Sequence, residues 1–222
     1  MAMNGKEAMG LHIEYSARFH VEFEQLMEQK TFAEVWFQNF DLIIEVADAP
    51  FLPTLNACFG WAFEGMALGL SRLWDGPGQS RKDGSHLHSL SIPVLVTHLE
   101  EKTFLGCHGL LPDRDDRLAY DDLFNRPLCQ RLRVARTETM AHSVQFGKSA
   151  DRRRSDISDK REFDIVNGDL LQFCNDTLRL LFSLNDQLTI EKWRKGKTML
   201  DMEREWRQRH LTFIRYFVSD AH

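Results

Sequence analysis

The sequence predicts an all-α protein, an antiparallel helical bundle with an amphipathic C-terminal helix. Three observations carry that prediction. Apolar residues recur three and four apart along most of the chain, which is the period of a helix. No stretch of any length shows the apolar–polar alternation of a half-buried strand. Prolines and glycines gather between the periodic segments, where helices start and stop.

The elements follow in order. Phe19, Phe23, Leu26 and Met27 fall on one stripe, with Leu11 and Tyr15 leading into it. A second helix follows or continues this one, with Val35, Trp36, Phe40, Ile43 and Ala47 on its buried face. Pro50 and Pro53 end that run, because proline lacks the donor a helix interior needs. The next helix spans about Thr54 to Trp74. It is apolar nearly all round, which predicts a central position. Gly60, Gly65 and Gly69 along it predict close approach of a neighbouring helix.

Residues 76–88 form a loop, after which Ser89 or Ser91 caps a helix whose first turn holds Pro93. Ile92, Leu95, Val96 and Leu99 form its stripe. A helix from Asp113 breaks near Pro127, and another then places Leu128, Leu132 and Ala135 inward. Residues 147–158 read as a polar, charged linker. A long helix from about Lys160 to Leu184 turns Phe163, Val166, Leu170, Cys174, Leu178 and Leu181 to the core. The last segment, about Thr189 to Val218, is interrupted by Gly196 and carries Trp206, Phe213, Ile214 and Phe217. The expected organisation is a bundle over residues 1–185 and a helical extension over 186–222, packed on the bundle or on a partner subunit.

Composition narrows the class. The 222 residues are 43% hydrophobic and 27% charged, enough for a sizeable core under a solvated surface. The most apolar stretch, Phe51 to Leu73, contains Asn56, Glu64 and Arg72, so no membrane span is expected. Cys58, Cys107, Cys129 and Cys174 are scattered, and no secretory signal opens the chain. A reducing, cytoplasmic setting without disulfides is the expectation. Cys107 beside His108, and His86 with His88, lack a matching second half, so neither a metal nor a cofactor is expected.

The net charge of −5 excludes a generic polyanion binder, but the charge is unevenly spread. Between residues 131 and 161, nine basic side chains face four acidic ones. Such an island marks a landing place for an anion or a solvated loop.

Within it lies the run Arg136, Thr137, Glu138, Thr139, Met140, Ala141, His142. On an ideal helix Arg136 and His142 are about 240° apart and about 9 Å along the axis. Glu138 and His142 are four apart and face one side, so the carboxylate can fix the imidazole's tautomer. A guanidinium forks onto phosphate oxygens, and an imidazole moves protons near neutral pH. Metal-free RNA cleavage needs those two jobs. The 2′-hydroxyl must lose a proton, the five-coordinate phosphorus needs its charge stabilised, and the 5′-oxygen must gain a proton. His142 also continues the stripe of Leu128, Leu132, Ala135 and Thr139, which fits a core histidine equally.

The run Arg136 to His142, followed by Ser143, resembles the arginine–gap–histidine motif of HEPN domains. Upstream, Leu70-Ser71-Arg72-Leu73-Trp74-Asp75, a polar loop, and Ser89-Leu90-Ser91-Ile92-Pro93 resemble the AbiU-like abortive-infection branch of that superfamily. The order and approximate spacing agree over roughly residues 30–185. The resemblance implies a dimerising bundle with a metal-independent ribonuclease site at the subunit interface. Arg136 would hold the scissile phosphate, and His142 would be the acid–base group. Glu138 would at most orient His142. Two-fold pairing lets side chains that diverge on one helix converge from two. Arg131, Arg133, Arg152, Arg153 and Arg154 are the candidates for RNA backbone contacts, which would be salt-sensitive and blind to sequence. Arg72 and Asp75, three apart at a helix end, read as a local structural pair.

The expected partners are RNA, a second copy of the chain in a homodimer, and an antitoxin protein, with phage defence or a toxin–antitoxin system as the setting. A second reading stays open. Active family members often carry Asn, Asp or His after the arginine, where this chain has Thr137. That residue, and the polar C-terminal extension, fit a non-catalytic helical module that binds a protein or nucleotide partner. A shared, solvent-open groove at His142 would separate the first reading from the second.

Overall fold

The computed structural model describes residues 5–45, 50, 52–75, 91–100, 114–135, 167–188 and 196–219. Those residues form eight helices and no strand. They are α1 (Gly5–Gln38), α2 (Phe40–Glu45), α3 (Leu52–Leu73), α4 (Ile92–Glu100), α5 (Arg114–Asn125), α6 (Pro127–Ala135), α7 (Asn167–Leu188) and α8 (Met199–Ser219). The all-α class read from the periodicity is therefore the observed one.

Helix α1 runs on through what reads in the sequence as two segments, so its rise is about 51 Å. It packs against α3, α7 and α8. Tyr15, Phe19, Phe23, Leu26 and Met27 are all fully buried, as their spacing predicts. The helix stops at Asn39, whose side-chain amide donates to the Val35 carbonyl at 2.7 Å. Beyond it, Ile43 is buried but Phe40 is 49% exposed, contrary to expectation. Ile43 joins Phe32, Trp36 and Leu55 in one cluster, whereas no described residue packs over Phe40 to bury it.

The pairing of side chains gives the directions. Along α1 and α3, Glu22 meets Arg72, Leu26 meets Gly69, and Trp36 stacks on Phe59. The numbers run in opposite senses, so the helices are antiparallel. Gly69 and Gly65 make this approach possible. A methyl at Gly69 would press on Leu26 at 3.1 Å, and one at Gly65 would collide with the Gln29 side chain. Gly60 has nothing within 4 Å, so the same expectation fails there. Likewise α5 and α7 are antiparallel, with Asp116 on Ser183 and Arg126 on Asp176.

Helix α3 begins at Leu52, so Pro53 sits in its first turn, where its missing donor is harmless. Its buried side carries Leu55, Ala62, Met66, Leu70 and Leu73. Trp61 and Leu68 are exposed at 68% and 40%. The all-round apolar character of α3 therefore does not mean enclosure on all sides. Part of it lines an open groove instead.

Helix starts follow local chemistry. Ser91 is fully buried just before α4, and its carbonyl accepts the Leu95 N–H at 2.9 Å. Pro93 lies in the first turn, as expected. Pro127 opens α6. Before α8, Gly196 has φ +77°, a conformation that favours glycine. Thr198 then forms a reciprocal cap. Its hydroxyl accepts the Asp201 N–H at 3.2 Å, and the Asp201 carboxylate accepts the Thr198 N–H at 2.9 Å. The Thr198 hydroxyl also donates to that carboxylate at 2.7 Å, and this bond, with the one from the Thr198 N–H, holds the Asp201 carboxyl below its usual range.

Two hydrophobic clusters result. The larger gathers residues of α1, α3, α4, α5, α6 and α7 around Phe19, Leu70, Trp74, Leu95 and Leu178. The smaller joins Phe32, Val35, Trp36, Ile43 and Leu55 to Ile214 and Val218 of α8. Cys58, Cys129 and Cys174 are free thiols. No described helix is long and apolar enough to cross a membrane.

Candidate nucleic-acid interface

Helix α6 delivers the chain to the motif. Its inner side buries Leu128, Cys129 and Leu132 against the larger cluster. Its start is anchored by Arg126, whose guanidinium reaches Asp122 on α5 and, at 2.7 Å, Asp176 on α7. Ala135, the last residue of α6, is followed in the chain by Arg136.

Arg136, Glu138 and His142 lie outside the described residues, as do Arg152, Arg153 and Arg154. Among the expected RNA contacts only Arg131 and Arg133 are described, and both are half-buried. Two residues apart on a helix, they point about 200° away from each other. Arg133 lies over the Phe124 ring at 5.2 Å, a cation–π contact that holds it along α5. The Arg131 Nε is buried and has no hydrogen-bond partner among the described residues. These two arginines therefore do not form one patch.

Other candidates are removed by burial. Desolvation pushes the Cys129 thiol up to about 11, against a smaller opposing effect of Arg133, so it stays protonated at neutral pH. A protonated thiol is no nucleophile. Burial raises the Cys174 thiol as well. Arg72 is structural, though its observed partner lies across the bundle. It bonds to Glu22 at 3.3 Å, and Arg18 bonds the other oxygen of that buried carboxylate at 2.5 Å. Its backbone carbonyl also accepts the Asp75 N–H at 3.4 Å. No cluster of metal-ligating side chains is present among the described residues, and His86, His88, Cys107 and His108 lie outside them.

Two grooves flank α8. One, of about 530 Å3, lies between α1, α7 and α8 and is polar. At its floor Lys30, only 3% exposed, bonds Glu34 at 2.9 Å and Glu203 at 3.3 Å. Arg207 reaches the same Glu34 at 2.7 Å and Gln38 at 2.8 Å. This network is a latch. Each cation spans α1 and α8 or sits between their carboxylates, so charge on one helix is neutralised by the other.

The second groove, of about 550 Å3, lies between α1, α3 and α8 and is aromatic. Trp61, Phe32, Trp206 and Phe213 line it, with Glu28, Arg209 and His210. Trp206 stacks on His210 with ring centroids 5.8 Å apart. The Arg209 guanidinium lies 4.7 Å from the centre of the Trp206 ring. The His210 Nε2 is 3.1 Å from the Glu28 carbonyl oxygen. Trp206 is half-buried and Phe213 is 37% exposed. The available signal was the alternation of arginines with aromatics from Trp206 onward.

No family model, no curated protein and no solved structure matches this chain.

Proposed function

We propose that this chain is a metal-independent endoribonuclease of HEPN type, acting as a homodimer in phage defence or a toxin–antitoxin system. The run Arg136 to His142 carries the proposal, in sequence order with the Leu70–Asp75 and Ser89–Pro93 segments. An all-α antiparallel bundle is compatible with it. So are the positions of the two upstream segments. Arg72 and Leu73 close α3, and Ile92 and Pro93 open α4.

In this reading each pair of motifs seats one RNA phosphate. His142 takes the proton from the 2′-hydroxyl, and the oxygen attacks phosphorus. Arg136 stabilises the charge on the five-coordinate centre. The imidazolium of one protomer then protonates the departing 5′-oxygen, leaving a 2′,3′-cyclic phosphate. Glu138 orients the imidazole. An antitoxin protein would act by covering this site.

The test is RNA cleavage in EDTA by the wild type, His142→Ala and Arg136→Ala. Both variants should lose cleavage, by about 100-fold or more, while their circular dichroism is unchanged. Equal cleavage by all three rejects the nuclease. Growth arrest on overexpression, relieved by the same substitutions, is the companion test. A second reading, a non-catalytic binding module, draws on Thr137 and on the open aromatic groove beside α8.

A further inference from the structure

We propose that the groove between α3 and α8 holds an unpaired base of single-stranded RNA, with Trp61 as the stacking platform and Arg209 at a flanking phosphate. The inference rests on the reading that this chain handles RNA. It adds a contact on helices other than the one that leads to Arg136.

Trp61 is the first reason. It is 68% exposed on a regular helix, whereas Trp36 and Trp74 are 3% and 0% exposed. Among the described residues its ring meets no other ring, and its indole N–H has no partner. A large apolar face left in water in this way is a binding feature more often than a packing one when it borders a groove. Across that groove stand Trp206 and Phe213, so a flat ring entering it meets aromatic surface on both walls.

Charge is the second reason. From Trp206 to Ser219 the sequence contains three arginines and no acidic residue. Arg207 is spent on the latch with Glu34. Arg209 lines the groove, is exposed and has no carboxylate partner among the described residues, whereas Arg215 points to the far side of α8. Tyr216, 63% exposed, continues the same surface. Aromatic faces beside an exposed guanidinium suit a strand whose bases stack and whose phosphates carry the charge. A peptide's apolar side chains would fill the groove but leave this cation unanswered.

Glu28 supplies an edge contact. It is the one carboxylate lining the groove. A carboxylate accepts hydrogen bonds from an exocyclic amino group, which cytosine has and uracil lacks.

The test uses the full chain carrying His142→Ala, so that RNA survives. A fluorescein-labelled 12-nucleotide oligocytidine is titrated at several salt concentrations and followed by anisotropy. Trp61→Ala should weaken binding about tenfold or more, and Trp61→Phe should restore most of it. Arg209→Ala should weaken binding and lower the salt slope by about 0.7, while Arg215→Ala, on the far side of α8, should change neither. Glu28→Gln should reduce the preference for oligocytidine over oligouridine. Unchanged affinity in Trp61→Ala, or equal affinity for duplex RNA, overturns the groove, and so does an absence of RNA binding. The nuclease is judged separately, by the EDTA cleavage assay. Cleavage with a Trp61→Ala affinity like the parent's rejects the groove alone. Trp61-dependent binding without cleavage rejects the nuclease alone.

Discussion

Trp74 and Trp61 belong to the same stretch of chain and meet opposite surroundings. Trp74, just past the end of α3, is fully buried between Tyr120 and Phe173, with its indole N–H donated to Thr177 at 3.1 Å. Trp61, two-thirds exposed nearer the start of α3, stands at the rim of a groove. The closed end of α3 is covered by α5, α6 and α7, and among the described residues the open end shares its cluster with α1, α2 and α8. The same residue type therefore does structural work at one end and is free for a ligand at the other. Hydrophobicity alone does not tell the two apart.

The widest gap between the two ends should appear on truncation. Trp74→Ala should destabilise the protein by about 3–5 kcal/mol in urea unfolding, through lost transfer energy and a residual cavity. A loss below about 1 kcal/mol would mean that the larger cluster repacks freely, and the contrast would vanish. Next is the latch. Lys30→Met leaves Glu34 and Glu203 with Arg207 as their partner, and both keep about a quarter of their exposure, so the buried-pair penalty is reduced to about 2 kcal/mol. Loss of the α8 helix signal before global unfolding would show that the latch holds α8 specifically. Thr177→Val should cost about 1–2 kcal/mol, because it orphans the Trp74 indole N–H while preserving shape.

A smaller effect concerns pH. Burial holds the His210 imidazole below its ordinary value, against the Glu28 carbonyl contact and with the Arg209 charge adding to the depression. The unfolded chain then takes up the proton first. This group's contribution to stability is complete above the unfolded value of about 6.5 and is lost as pH falls below it. The thermal midpoint of His210→Gln should therefore fall less than that of the wild type between pH 7 and pH 5. Identical slopes would show that the groove does not desolvate the ring. The smallest change is expected at the open end itself. Trp61→Ala should alter stability by no more than about 0.5 kcal/mol. A loss of several kcal/mol there would make Trp61 a core residue and remove the basis for a ligand groove.

Much of the fold was legible beforehand. Tyr15, Phe19, Phe23, Leu26 and Met27 were readable as a buried stripe because their spacing is a property of one helix. The starts of α4 and α6 were readable because Ser91, Pro93 and Pro127 act on their own turns. The start of α8 was less clear, since a threonine–aspartate cap three apart is weak evidence until both hydrogen bonds are seen. Phe40 and Gly60 were misread for a common reason. Phe40 was assigned a face by periodicity and Gly60 a close neighbour by residue type, and both depend on where a neighbouring helix lies.

The candidate site divides in the same way. Arg136, Glu138 and His142 were found by motif, because their chemistry lies in residue type and order. The latch of Lys30, Glu34, Glu203 and Arg207 had no sequence signal, because its members come from opposite ends of the chain. The groove was hidden similarly. Trp61 looks like core until α3 and α8 are seen to leave a gap between them.

Helical class, the inner faces of the long helices and the position of the Arg–His run were determined by the sequence itself, since each depends on residues a few places apart. Which tryptophan is sealed, which charges pair and where a groove opens were decided by the tertiary structure. Burial and ion pairing are settled by whichever distant helix arrives to cover a face, and local spacing carries no record of that arrival.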